Sequence, residues 1–170
     1  TLVTRVVSYE ITVKNDSAPV SKVTVAAGTA PLTMGNLNGE TFATTTNDTL
    51  KAGDNTLTTT GFAASTNDEI KITIAATDGE SAAAELEVVS APAGATSPVD
   101  GAYTSASDIT FSHAGEYKLK LTVTTSKTGL NDTVTEYNLT VNVGLAAGSA
   151  GTSNVTTANG AVVTNASSAN

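Results

Sequence analysis

The chain contains no cysteine, no tryptophan and a single histidine, and its eight basic residues are outnumbered by sixteen acidic ones. Without cysteine there are no disulfides, no thiolate metal sites and no thiol nucleophile. That does not exclude secretion; it requires stability to come from another source. The formal net charge is −8, and no cluster of Lys or Arg exists to neutralise phosphates, which argues against nucleic acid and against an anionic membrane surface. No apolar run is long enough to span a bilayer, and no leader with a charged-then-apolar pattern is seen. The strand-like sequence that begins at Thr1 is read as a processed, mature form. Aromatic residues make up only 4%, so the core is expected to consist of Val, Leu, Ile and Ala and to be thin.

Catalytic signatures are equally sparse. A multi-histidine metal site is impossible, and a Ser-His-Asp set would have to use His113. His113 lies two residues before Gly115, where a structural polar residue is the expected role. There is no nucleophile elbow, phosphate-binding loop or dinucleotide fingerprint. Glu85 and Glu87 share the outer face of one expected strand, which points to a solvated surface and not to an acid-base pair. The chain is therefore expected not to be an enzyme and to require no cofactor. Calcium is the one ion with plausible ligands: Asp68 and Glu69 after Asn67, Asp78 near Glu80, and Asp132 after Asn131 offer oxygens on loops. None follows the EF-hand spacing, and ordinary turn chemistry of Asp and Asn accounts for the same residues.

What is abundant is threonine, about a fifth of the 170 residues, with Ala, Val, Ser, Asn and Gly. Thr and Val favour strands, and Gly, Asn and Asp interrupt them. The clearest pattern runs from Ile109 to Val143. Tyr117, Leu119, Leu121 and Val123 alternate with Lys118, Lys120 and Thr122; Tyr137, Leu139, Val141 and Val143 alternate with Glu136, Asn138, Thr140 and Asn142. Two half-buried antiparallel strands joined by the loop Thr125 to Asp132 are expected, with Lys118 and Lys120 placed to pair with Glu136 across the solvent face.

Elsewhere, Thr1 to Lys14 reads as one long strand with Val3, Val7, Tyr9, Ile11 and Val13 on one face. Val20 to Ala26 reads as a second. From Gly28 to Leu57, Pro and Gly break every pattern, and only short strands near Phe42 and Leu57 are expected. Glu69 to Ile74 alternates cleanly, Asp78-Gly79 suits a type I′ hairpin turn, and Ala84, Leu86 and Val88 suit its return strand, with a short helix over Ser81 to Val89 as the alternative. Ala91 to Gly101 is a loop. Residues 144–170 carry no charge and no aromatic ring, as in a flexible tail, yet Ser153 to Ala158 and Ala161 to Ala166 flank Asn159-Gly160, a strong hairpin signal. Three segments follow: 1–14 as an N-terminal strand, 15–143 as the body, and 144–170 as the uncharged C-terminal segment. Sequons stand at Asn15, Asn47, Asn131, Asn138, Asn154 and Asn165, each a candidate for glycosylation.

Ile109 to Tyr117, Ile-Thr-Phe-Ser-His-Ala-Gly-Glu-Tyr, followed by Lys-Leu-Lys-Leu-Thr-Val, resembles the corner leading into the penultimate strand of immunoglobulin-like domains of the PKD and cadherin-like kind, where a Tyr after a Gly closes a tyrosine corner. The long strand-like segment Thr1 to Lys14, with a cysteine-free Thr/Asn/Ala-rich body, resembles subunits of extracellular fibres that assemble by strand donation, such as TasA-type matrix fibres and archaeal bundling pili and threads.

The fold expected is all-β, a single antiparallel sandwich of about eight to ten strands, immunoglobulin-like or jelly-roll. The resemblance implies a secreted, extracellular or cell-surface homopolymer of identical subunits with no membrane insertion. Val3, Val7, Tyr9 and Ile11 would fill a neighbouring subunit, serving adhesion or biofilm and surface structure. A carbohydrate-binding or adhesive module, and a viral capsid or decoration protein, are the alternatives; surface glycans are a further partner to consider.

Overall fold

A computed structural model describes residues 17–28, 31–35, 48–63, 65–145, 154–156 and 162–164. In chain order the strands are β1 (Ser21–Ala27), β2 (Leu32–Gly35), β3 (Asp48–Thr49), β4 (Gly53–Phe62), β5 (Asp68–Ala76), β6 (Glu80–Ser90), β7 (Gly101–Tyr103), β8 (Asp108–Phe111), β9 (Gly115–Lys127), β10 (Thr133–Leu145), β11 (Asn154–Thr156) and β12 (Val162–Thr164). No helix occurs among the described residues. Two sheets pack face to face, one in the order β3-β1-β5-β8 and the other β2-β4-β10-β9-β6-β7.

The alternation in β9 and β10 decides the central pair. Tyr117, Leu119, Leu121 and Val123 are buried on one face of β9, and Tyr137, Leu139, Val141 and Val143 on the same face of β10. Leu119 pairs with Leu139 and Leu121 with Tyr137, so the register keeps both apolar rows on the core side. From the smaller sheet, Val23, Val25, Ile70, Ile72, Ile109 and Phe111 close the core. Beside the aliphatic residues, four rings are buried in it: Phe62, Phe111, Tyr117 and Tyr137. Burying each such side chain contributes about 1.5–3 kcal/mol.

The sandwich departs from a purely antiparallel one. β4 runs parallel to β10, with Leu57 beside Val141 and Thr59 beside Val143. A parallel neighbour needs a long crossover, and here nearly the whole body lies between the two strands. β1, β5 and β8 of the smaller sheet face β10, β9, β6 and β7 of the larger one.

Asp78-Gly79 makes a turn, closed by Glu80 N–H to Thr77 C=O at 2.9 Å, but not the expected hairpin. Only Gly79 of the two has positive φ, at 79°, whereas a type I′ turn needs both. The turn carries the chain from one sheet to the other: β5 pairs with β1 and β8, while β6 pairs with β9 and β7. The span Ser81 to Val89 is strand, not helix. The ionic contact on the solvent face also has a different partner. Lys120 reaches Glu87, which stands opposite it on β6, at 2.7 Å, and Lys118 lies 3.8 Å from Glu116. Glu136 stands opposite Thr122.

The tyrosine corner is present. The Tyr117 hydroxyl donates to the His113 carbonyl at 3.0 Å and accepts from the His113 N–H at 3.1 Å, while its ring meets Phe111 edge-on at 4.9 Å. Gly115 enters this corner at φ 134°, and a Cβ there would lie 2.8 Å from Pro92 Cγ, so only glycine fits. The 144–170 segment contains a short antiparallel ladder, with Asn154 opposite Thr164 and Thr156 opposite Val162. The Asn159-Gly160 turn expected between its strands lies outside the described residues.

Replacing Tyr117 by Phe removes both corner bonds and should lower stability by roughly 1–3 kcal/mol in urea unfolding. Burial pushes the hydroxyls of Tyr103, Tyr117 and Tyr137 above the ordinary phenol value. Stability should accordingly be full below about pH 10 and fall above it, as the unfolded chain releases protons that the folded one retains. With one such group fewer, Tyr117→Phe should show a shallower alkaline slope; an unchanged slope would contradict the burial argument.

Candidate functional site

Of the side chains with catalytic potential, Ser112 is engaged at the β8–β9 corner. Ser112 Oγ accepts from the N–H groups of Thr96 at 2.8 Å and Ser97 at 3.2 Å, and His113 Nδ1 lies 3.3 Å away from it. Ser112 therefore clamps the 91–100 loop against the β8–β9 corner, and His113 is exposed beside it. Glu85 and Glu87 lie on the outer face of β6, Glu87 paired with Lys120. A shallow groove between β7 and β8 is lined by Leu86, Asp100, Tyr103, Asp108 and Ile109 among others. Its charged groups already have partners: Asp100 accepts from Val88 N–H at 2.6 Å, and Asp108 pairs with Lys71 at 2.6 Å. The Asp108 contact holds the Lys71 ammonium above its usual range.

The four calcium candidates are not brought together. Asp68, at the start of β5, is 1% exposed and accepts a hydrogen bond from the buried Thr59 hydroxyl of β4, so it ties the two sheets. Glu69 projects to the opposite face of β5. Asp78 stands at the far end of the same strand, and Asp132 in the β9–β10 connection. Among the described residues no three His, Asp or Glu side chains gather as metal ligands.

The edges differ from one another. On the β7–β8 side, backbone groups that lack a strand partner are met by side chains. Past the end of β8, Ile72 N–H donates to the Tyr103 hydroxyl at 3.0 Å, Ala106 N–H to Ile72 C=O at 2.9 Å, and Ile74 N–H to Ser105 Oγ at 2.8 Å. The Tyr103 hydroxyl itself lies 2.6 Å from the Ser107 carbonyl. Ala106 is held at φ 64° to do this, a conformation that costs about 1–3 kcal/mol in a non-glycine residue. Across the sandwich, the β2–β3 flank has fewer such contacts among the described residues. The two-residue β3 pairs with only Thr24 and Val25 of β1, supplemented by Leu50 N–H to Val23 C=O at 2.9 Å. The outer side of β2 has no strand partner among the described residues. Among the described residues Leu32, Met34 and Leu50 are the apolar side chains at this flank, all buried.

The body is also polar in its connections. Residues 17–20 enter beside the β5–β6 turn, where Val20 N–H reaches Glu80 at 3.3 Å and Ser21 Oγ reaches Thr125 Oγ1 at 2.7 Å. Leu145 leaves at the other end, beside Phe62. Of the residues expected at a subunit interface, Val3, Val7, Tyr9 and Ile11 lie outside the described residues, as do Asn15, Asn47 and Asn165. Asn131 is exposed in the 128–132 connection, and Asn138 is exposed on the outer face of β10, donating to Asp54 at 2.9 Å.

Comparison with protein-family models, with curated proteins and with solved structures found no match. The Asp68–Thr59 tie was hidden in the sequence because both are polar residues at core positions; their inward placement in otherwise alternating strands was the available signal. Thr59→Val should destabilise the subunit by roughly 1–3 kcal/mol, since it strips a buried carboxylate of its donor. An unchanged urea midpoint would show that the tie contributes nothing.

Proposed function

We propose that this protein is a structural subunit of a secreted extracellular filament, pilus-like or a matrix fibre, in which identical subunits join by β-strand complementation. The observation that carries this reading is the entry of the chain at one pole of the sandwich and its exit at the other, together with a lateral flank where β2 and β3 are short and, among the described residues, lack outer partners. A strand reaching from one pole into the flank of the next body makes a head-to-tail contact that does not close, and repetition of it gives a fibre.

Residues 1–14 are the donor in this account. At about 3.3 Å per residue they are long enough to run beside a whole edge strand, and Val3, Val7, Tyr9 and Ile11 fall at odd positions, on one face of an extended strand that Arg5 shares. An edge supplies backbone partners for such a strand, and pockets for alternate side chains supply specificity. The role is structural, in adhesion or surface and biofilm architecture, with no catalysis and no required cofactor. A sugar-binding module would display open aromatic faces. Among the described residues Phe62, Phe111, Tyr117 and Tyr137 are buried, and Tyr103 is half-buried with its hydroxyl engaged.

Deleting Thr1 to Val7 should leave a folded subunit that is less stable and does not polymerise. Negative-stain imaging and thermal melting check this. Filaments of normal length from the truncated protein would defeat strand donation from this end, and closed shells from the intact protein would favour the capsid alternative.

A further inference from the structure

Two sequons have described side chains, and the fold treats them differently. Asn131-Asp132-Thr133 occupies the connection between β9 and β10. The connection turns on Leu130 N–H to Lys127 C=O at 3.0 Å, with Gly129 at φ 86°. Asn131 and Asp132 are both exposed, and the Asn131 amide has no side-chain hydrogen bond among the described residues. Ladder pairing begins only at Thr133, opposite Thr125. Asn138-Leu139-Thr140 sits in mid-strand instead, paired on one side with Lys120, Leu119 and Lys118 of β9 and on the other with Asp54, Asn55 and Thr56 of β4. Its amide Nδ2 is spent on Asp54 Oδ1 at 2.9 Å.

We propose that Asn131 is the site of an N-linked glycan on the sandwich body and that Asn138 remains unmodified. This rests on the reading of the protein as secreted, because only that route brings the chain to the transfer machinery. In the step itself, Asn131 Nδ2 forms a bond to C1 of the first sugar of a lipid-diphosphate-linked oligosaccharide. The bond from C1 to the diphosphate oxygen breaks, the lipid diphosphate leaves with the electron pair, and the amide gives up one proton. Transfer requires the sequon to leave its neighbours and bend into an active site. The 128–132 connection can do so without breaking the sheet, whereas Asn138 to Thr140 would have to surrender backbone bonds on two sides. Asn131 also lies at the pole where residues 17–20 enter, away from the β2–β3 flank, so a glycan there leaves that flank uncovered.

The test is peptide mass spectrometry of the protein isolated from its producing cells, with Asn131→Gln and Asn138→Gln variants alongside. The peptide containing Asn131 should carry the glycan mass and the one containing Asn138 should not. Asn131→Gln should lose that increment and Asn138→Gln should retain it. An unmodified Asn131 in protein recovered outside the cell overturns this assignment and leaves the secretion reading intact. Recovery only from inside cells overturns both, and a glycan on Asn138 overturns the distinction between the two sites.

Discussion

Every backbone group along the edge of a sheet needs a partner, and this requirement shapes the molecule more than any single core contact. The sandwich has no disulfide, and its sheets end in strands of two to four residues: β3, β7, β2 and β8. Short edges guard a monomer against unwanted pairing, but each leaves its longer neighbour partly uncovered. On the β7–β8 side the chain answers with side chains. The Tyr103 and Ser105 hydroxyls, with the Ala106 backbone N–H, complete β5, and Ser112 with its partners Thr96 and Ser97 completes the corner. The same logic makes Tyr117 the keystone of the β8–β9 turn, because one phenol satisfies both backbone groups of His113. No comparable set of side chains closes β2 and β3 among the described residues.

The strands that could be read directly were those whose two faces differ strongly. β5, β6, β9 and β10 alternate Ile, Leu, Val or Tyr with charged residues or Thr, and burial follows that alternation. β4 was legible only around Leu57, because Asn55 and Thr59 occupy core positions and erase the apolar pattern. Asn55 is accommodated there by donating to the carbonyls of Lys51 and Gly53, and Thr59 by Asp68. β2, β7 and β8 are too short to show a period. The parallel pairing of β4 with β10 has no local signature, since it depends on where the intervening chain returns.

Ion pairs and turns illustrate the same division. Lys120 was readable as a solvent-face cation, but its choice of Glu87 over Glu136 follows from strand order. Asp78-Gly79 was readable as a turn, but its passage between sheets was not. The candidate assembly flank was wholly illegible, because it is defined by which strands fall last in two separate sheets. What the sequence does contribute to function is the alternating segment at residues 1–14, whose partner the flank is proposed to be.

Hydrogen exchange compared between assembled fibres and dissociated subunits addresses that pairing most directly. Strand donation at the β2–β3 flank predicts that amides of residues 1–14, of Leu32 to Gly35 and of the outer side of β1 exchange much more slowly in the fibre, while those of β9 and β10 are slow in both states. Equal exchange of residues 1–14 and of β2 in the two states would contradict it.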